Sequence, residues 1–267
     1  MRKVIAAMVL GTVLGATPAL AREARVQRLY VLDCGTLAAT NKAMWTPGKD
    51  ENVAFTFSEQ CYLIKHRTGY LLWDTGIADA LTNRPMSARG MTVQRSTSLA
   101  SELARIGVSP ADVRYVALSH VHADHTGNVG LFPNATFIMQ KSERDAAVAA
   151  GQLALPTTAT VRAVEGDLDV FGDGSVMVVA TPGHTAGHQS LLVRLRRTGA
   201  VILTGDAAHL ESNYANGVVP TLNANAELTR SSMDRLKAMA RSLKAKVWFN
   251  HDPDQAKTMR VAPKFYN

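Results

Sequence analysis

Apolar and polar residues alternate from Val26 to Leu32, the period-two pattern of a half-buried strand. Gln60 to Lys65 and Tyr70 to Trp73 are two apolar runs joined by His66-Arg67-Thr68-Gly69. That predicts a hairpin with glycine in its turn and His66 exposed there, running on into Asp74-Thr75-Gly76. Val113 to Leu118, Ala135 to Met139, Ser175 to Ala180 and Val247 to Phe249 read as further strands. Ser190 to Leu195 and Ala200 to Thr204 read as a second hairpin. Helical spacing marks Leu99, Leu103 and Ile106, with Gly107 placed as a C-cap. It recurs at Leu228, Met233, Leu236, Ala240 and Leu243. Ser142, with Asp145 three residues on, predicts the start of a short helix.

Short strands and helices thus alternate with no linker or repeat. This predicts one domain over residues 22–267. Residues 1–21 read differently. Arg2 and Lys3 precede an apolar run from Val4 to about Leu14, and Pro18-Ala19-Leu20-Ala21 offers a small-x-small cleavage site. The run is too short for a good membrane span, so a cleaved signal peptide and a periplasmic or secreted protein without a stable membrane anchor are expected.

Charge narrows the partners. The chain has a formal net charge of +7, two units of it from Arg2 and Lys3. The remaining basic residues are scattered, without the basic stripe and interleaved aromatics of a nucleic-acid binder. The two cysteines, Cys34 and Cys61, lie away from every histidine motif, which argues against thiolate metal ligands. They are read as two buried thiols. An oxidising compartment would allow a disulfide instead.

The informative residues follow the strands. Seven of the eight histidines fall in four short motifs. The first, Ser119-His120-Val121-His122-Ala123-Asp124-His125-Thr126-Gly127, packs four candidate ligands into six residues after Val113–Leu118. His184 follows Ser175–Ala180, Asp206 follows Ala200–Thr204, and His251 follows Val247–Phe249. Strand ends bring such loops to one edge of a sheet and hold them rigidly. Neutral imidazoles and carboxylates suit borderline divalent ions such as zinc.

Five His and two Asp are too many donors for one tetrahedral ion and about right for two. His120 and His122, two apart on an extended segment, can share an ion that His184 completes. Asp124 and His125 turn toward a second ion that His251 completes, and Asp206 can bridge both. Two Zn2+ are expected, with other divalent transition metals as alternatives. Ions about 3.5–4 Å apart lower the pKa of a shared water and polarise a carbonyl, which points to hydrolysis. His188 is expected to pack behind the ligands. Asp74 is expected to orient a ligating histidine through a carboxylate–imidazole hydrogen bond.

These motifs resemble the metallo-β-lactamase superfamily, and the resemblance runs from about Val26 to the C-terminus. It implies an α+β fold, an αβ/βα four-layer sandwich of two packed sheets with helices outside. The retained Asp206 is unlike true β-lactamases, and His122 stands where flavodiiron-type relatives carry Glu. Ser119–Asn128, Thr181–Ser190, Asn250-His251-Asp252, Ser231–Lys237 and Arg260–Pro263 look like the N-acyl homoserine lactonases. That branch implies hydrolysis of a small-molecule lactone, with Asp124 passing a proton to the leaving alkoxide. A phosphotriester or aryl-ester hydrolase is the alternative reading. β-Lactam hydrolysis and a non-catalytic zinc-binding protein stand behind it. Two positions depart from the lactonase pattern. His209 stands where the branch usually has a Tyr that holds the substrate carbonyl, and an imidazole N–H can take that role. Ala123 stands where a large apolar residue usually lines the acyl pocket.

Overall fold

The computed structural model describes residues 25–152 and 155–267. The leader expected over residues 1–21 lies outside them. Among the described residues, thirteen strands form two sheets. The first contains β1 (Val26–Ala39), β2 (Phe55–His66), β3 (Gly69–Trp73), β4 (Met86–Ala88), β5 (Met91–Gln94), β6 (Val113–Ala117), β7 (Thr136–Gln140) and β8 (Thr160–Val164), in the order β4-β5-β1-β2-β3-β6-β7-β8. The second contains β9 (Leu168–Asp169), β10 (Val176–Ala180), β11 (Gln189–Leu195), β12 (Gly199–Leu203) and β13 (Lys246–Trp248), in the order β13-β12-β11-β10-β9. Six helices accompany them: α1 (Leu99–Ala104), α2 (Ala123–Thr126), α3 (Lys141–Ala149), α4 (Glu211–Asn216), α5 (Ala226–Leu243) and α6 (Pro253–Thr258). Among the described residues no helix is long and apolar enough to cross a membrane.

The layers follow from side-chain alternation. Leu29 and Val31 of β1, Tyr62 and Ile64 of β2, and Leu71 and Trp73 of β3 face one way. They meet Val176 and Val178, Leu191 and Val193, and Val201 and Leu203 of the second sheet in one buried cluster between the sheets. The intervening residues Tyr30, Leu32, Leu63 and Leu72 face the opposite side and pack with Leu99 and Leu103 of α1. On the second sheet's outer face Val179, Leu192 and Ile202 pack with Leu236 of α5. Strands with both faces buried need helices outside, and the result is the αβ/βα four-layer sandwich expected from the sequence.

Several sequence expectations shift. β1 runs seven residues past Leu32, through an irregularity between Asp33 and Gly35, and pairs with β5 as well as β2. Both predicted hairpins form, β2–β3 and β11–β12. α3 begins at Lys141 with Gln140 as its N-cap, so Ser142 does not cap it. Ser142 Oγ instead donates to the carbonyl of Ala186. His66 is not exposed. It lies 3 % exposed, with Nε2 3.1 Å from Asp173 and its ring stacked on Phe171. Cys34 and Cys61 are joined by a disulfide rather than left as two thiols. Leu32 pairs with Cys61 across β1–β2, and this register brings the two α-carbons to 5.7 Å.

Candidate active site

The loops after β6, β10, β12 and β13 carry His120–His125, His184, Asp206 and His251, and they converge on one centre. β3, β6 and β7 run parallel, as do β12 and β13. Parallel pairing puts successive strand ends, and therefore their loops, at the same edge.

Asp206 sits at the middle of this centre, 3 % exposed, and its two oxygens face different neighbours. Oδ2 lies 3.2 Å from His184 Nε2 and 3.7 Å from His120 Nε2. Oδ1 lies 3.3 Å from His125 Nε2 and 3.0 Å from His251 Nε2. His122 Nδ1 lies 3.1 Å from His184 Nε2, and Asp124 Oδ2 lies 3.9 Å from His125 Nε2. Three donor groups result, each with its donor atoms within 4.8 Å of one another. One is His120, His122, His184 and Asp206, a second is Glu59, Asp124, His125 and His251, and a smaller third is Asp206, His209 and His251. All seven residues expected as ligands lie in these groups. Glu59 is an addition.

The local frame is specific. Gly205 adopts φ +53°, and a Cβ there would fall 2.8 Å from His188 Nε2. That close approach lets the amide of Asp206 donate to His188 Nε2 at 2.9 Å. Burial pushes the His188 imidazole down to about 3, so it serves as a neutral acceptor. Asp74 adopts φ +57°, an uncommon conformation for a residue with a side chain. Its Oδ2 lies 2.9 Å from His125 Nδ1, and its Oδ1 accepts from the Ser119 amide at 2.6 Å. Glu143, 2 % exposed on α3, accepts from the amides of Val121 and Gly187, both at 2.9 Å. One side chain thereby ties the His120 loop to the His184 loop.

Charge and burial together suit cations. Burial pushes the imidazoles of His120 and His184 well below their usual value, into the neutral form that ligates metal. Burial also opposes charge on His125 and His251. There Asp206 and Glu59 prevail, raising His125 well above its usual value and His251 to about 9. Burial pushes Glu59 up to about 8 against the pull of His251 and His125. Burial disfavours the charge on Asp206, yet His209, His251 and His125 hold it well below the usual carboxylate range. His120 Nε2, His125 Nε2, His184 Nδ1 and Glu59 Oε2 are buried without a hydrogen-bond partner among the described residues. Buried polar atoms normally find partners. Two of these orphans, His120 Nε2 and His125 Nε2, face Asp206 from its two sides and fit a site built for divalent cations.

His209 is 4 % exposed, with Nε2 3.0 Å from Asp206 Oδ2 and Nδ1 unpartnered among the described residues. It forms one wall of a cavity of about 340 Å³. Its polar end is His122, Asp124, His184, Asp206, His209 and His251. Leu37, Met44, Trp45, Leu81, Met91 and Leu222 are among its apolar lining, and Ala123 lines it too. A concave, mostly apolar chamber with a few convergent polar groups is the usual form of a small-molecule site.

Glu59 and Glu143 were not singled out from the sequence. Each offered a faint signal, Glu59 as a carboxylate entering the apolar run Gln60–Lys65 and Glu143 as an acid in the first turn of a helix.

The chain belongs to the metallo-beta-lactamase superfamily, whose family model matches residues 55–247. Within it, the chain is similar along most of its length to N-acyl homoserine lactonases. That of Bacillus thuringiensis is 32% identical over 256 residues, covering 90% of this chain and 99% of the relative. That of Agrobacterium fabrum is 33% identical over 262 residues, covering 90% and 98%. A solved N-acyl homoserine lactone hydrolase with N-hexanoyl-L-homoserine, its product, bound at the catalytic metal centre superposes with a TM-score of 0.81 at 29% identity. It covers 90% of this chain and 99% of that one.

Proposed function

We propose that the protein is a dinuclear zinc hydrolase that opens the lactone ring of N-acyl homoserine lactones or related lactones. The observation that carries this reading is the division of Asp206, one oxygen against His120 and His184 and the other against His125 and His251, at the polar end of an apolar cavity. His120, His122, His184 and Asp206 would hold one ion, and Asp124, His125, His251 and Asp206 the other. Zinc or another divalent transition ion so held supplies Lewis acidity and brings the pKa of water toward neutrality.

The chain's own residues supply the rest. The cavity's apolar wall of Met44, Trp45, Met91 and Leu222 suits an acyl chain and excludes water from it. Asp124, part-exposed within the cavity, would take the proton released by the attacking water and pass it to the leaving alkoxide, the role that the resemblance implies. His209 Nε2 faces the acceptor-only carboxylate of Asp206, and a hydrogen there would be shared between that carboxylate and the substrate oxygen. It is proposed as the donor to the substrate oxygen that the Tyr of the lactonases would otherwise serve. The similarity to lactonases over 90% of the chain supports the substrate class.

We also propose cleavage after Ala21 and a periplasmic or secreted location. The leader pattern of residues 1–21 and the Cys34–Cys61 disulfide support it, since disulfides persist in oxidising compartments.

A substrate panel tests the activity. Zinc-loaded protein is given N-acyl homoserine lactones of several chain lengths, simple γ- and δ-lactones, a phosphotriester and a cephalosporin. The highest kcat/KM is expected on an N-acyl homoserine lactone. A clear preference for the phosphotriester or the cephalosporin contradicts the assignment.

A further inference from the structure

The two larger donor groups are not equivalent, and the difference lies behind the imidazoles. Glu59 is 1 % exposed on β2. Its Oε1 accepts from Asn250 Nδ2, and Asn250 Oδ1 in turn accepts from the Gln60 amide. The carboxylate is thereby fixed against the loop that carries His251. Its Oε2 has no hydrogen-bond partner among the described residues and lies 3.2 Å from His251 Nδ1. The hydrogen bond of that nitrogen goes to the carbonyl of Ser58, also at 3.2 Å, and the Glu59 carboxylate lies beside it at ion-pair distance. The ring's opposite nitrogen, Nε2, lies 3.0 Å from Asp206 Oδ1.

His125 repeats the arrangement. Its Nδ1 is 2.9 Å from Asp74 Oδ2 and its Nε2 is 3.3 Å from Asp206 Oδ1. Both imidazoles on the Oδ1 side therefore stand between a buried carboxylate and the shared centre. On the Oδ2 side this backing is missing. His120 Nδ1 meets only the hydroxyl of Ser119, at 3.0 Å, and His184 Nδ1 has no partner among the described residues.

A carboxylate behind a ligating imidazole fixes its tautomer and orientation and raises its basicity. A buried carboxylate oxygen without a partner is costly unless positive charge lies near. A cation held at the Asp124–His125–His251 position would place positive charge just beyond the His251 ring that Glu59 faces.

We propose that Glu59 is a positioning residue for metal, the carboxylate that backs His251. With Asp74, it makes the Asp124–His125–His251 position the tighter of the two, filled first and emptied last. The proposal rests on the two-ion reading above.

The test is a chelator titration of the zinc-loaded full chain, reading metal per chain by plasma mass spectrometry after desalting. The wild type should lose its ions in two separated steps. Glu59→Gln keeps the size of the side chain and an oxygen for Asn250. It should weaken the tighter step by roughly tenfold to a hundredfold, the usual effect of losing such a partner, and leave the looser step in place. Glu59→Asp, a shorter carboxylate, should fall between. Two further backgrounds fix the location. With His184→Ala weakening the first position, Glu59→Gln should still lower retention of the tighter ion. With His251→Ala it should have no further effect, since the two residues act as one unit. Unchanged steps in Glu59→Gln, equal weakening of both, or a full additional loss in the His251→Ala background would overturn the proposal. A wild type that never holds a second ion would instead overturn the two-ion reading beneath it.

Discussion

His209 shows how one side chain can sit between two roles. Its ring lies in the cavity wall, 3.0 Å from the shared carboxylate, and it forms a third close group with Asp206 and His251. As a hydrogen-bond donor to substrate, its contact strengthens as charge develops on the oxygen being attacked. His209→Ala should then lower kcat and kcat/KM together. A well-placed oxyanion donor is worth about 3–4 kcal/mol. His209 already shares its Nε2 with Asp206, so a smaller loss is expected, roughly tenfold to a few hundredfold. Metal per chain should stay at the wild-type value, and His209→Tyr should retain substantial activity. Steady-state kinetics with metal analysis of the same samples decide the matter. Wild-type kinetics in the alanine variant would reduce His209 to packing, and lost metal would make it a ligand.

At the scale of elements, α3 does more than cover a sheet. Its first turn carries Glu143, which accepts from the amides of Val121 and Gly187 and so couples the two loops that bring His120, His122 and His184 together. Glu143→Ala would strand two backbone donors. Each buried unsatisfied donor costs about 1–3 kcal/mol, so a loss on the order of 3 kcal/mol in unfolding free energy is expected, read as a lower denaturant midpoint. Retention of the Oδ2-side ion should fall with it. A variant with unchanged midpoint and metal content would show that the loops hold their places without the clamp.

The same element shows what the sequence could and could not reveal. Apolar runs punctuated by turn residues marked both hairpins and the strand ends that carry the expected ligands, because a strand and its turn are local in sequence. The ligands themselves stood out because His120, His122, Asp124 and His125 are compressed into one loop. Glu143 was hidden because its partners, Val121 and Gly187, lie far away in sequence, and the nearby Ser142 offered a more conventional cap. Glu59 was hidden for the same reason, its contacts with Asn250 and His251 being made across the fold. His66 looked like a turn residue, yet Phe171 and Asp173 from the loop between β9 and β10 bury it. The disulfide needed the β1–β2 register, which spacing alone does not fix.

At the scale of the whole molecule, two sheets supply a rigid edge and the loops supply the chemistry. The leader proposed over residues 1–21 would add a destination. Intact-mass analysis of a periplasmic or culture-fluid fraction should find a chain that starts at Arg22. A chain that starts at Met1 and stays with the cytosolic fraction would contradict export.

The central claim is that one shared carboxylate organises two ions on which ring opening depends. Metal-stripped protein titrated with zinc, with N-hexanoyl homoserine lactone opening followed at each addition, tests it most directly. Activity should rise until two ions are bound per chain. Asp206→Ala should hold less metal and turn over slowly at every addition. Full activity at one ion per chain, or an Asp206→Ala variant that still binds two, would contradict the account.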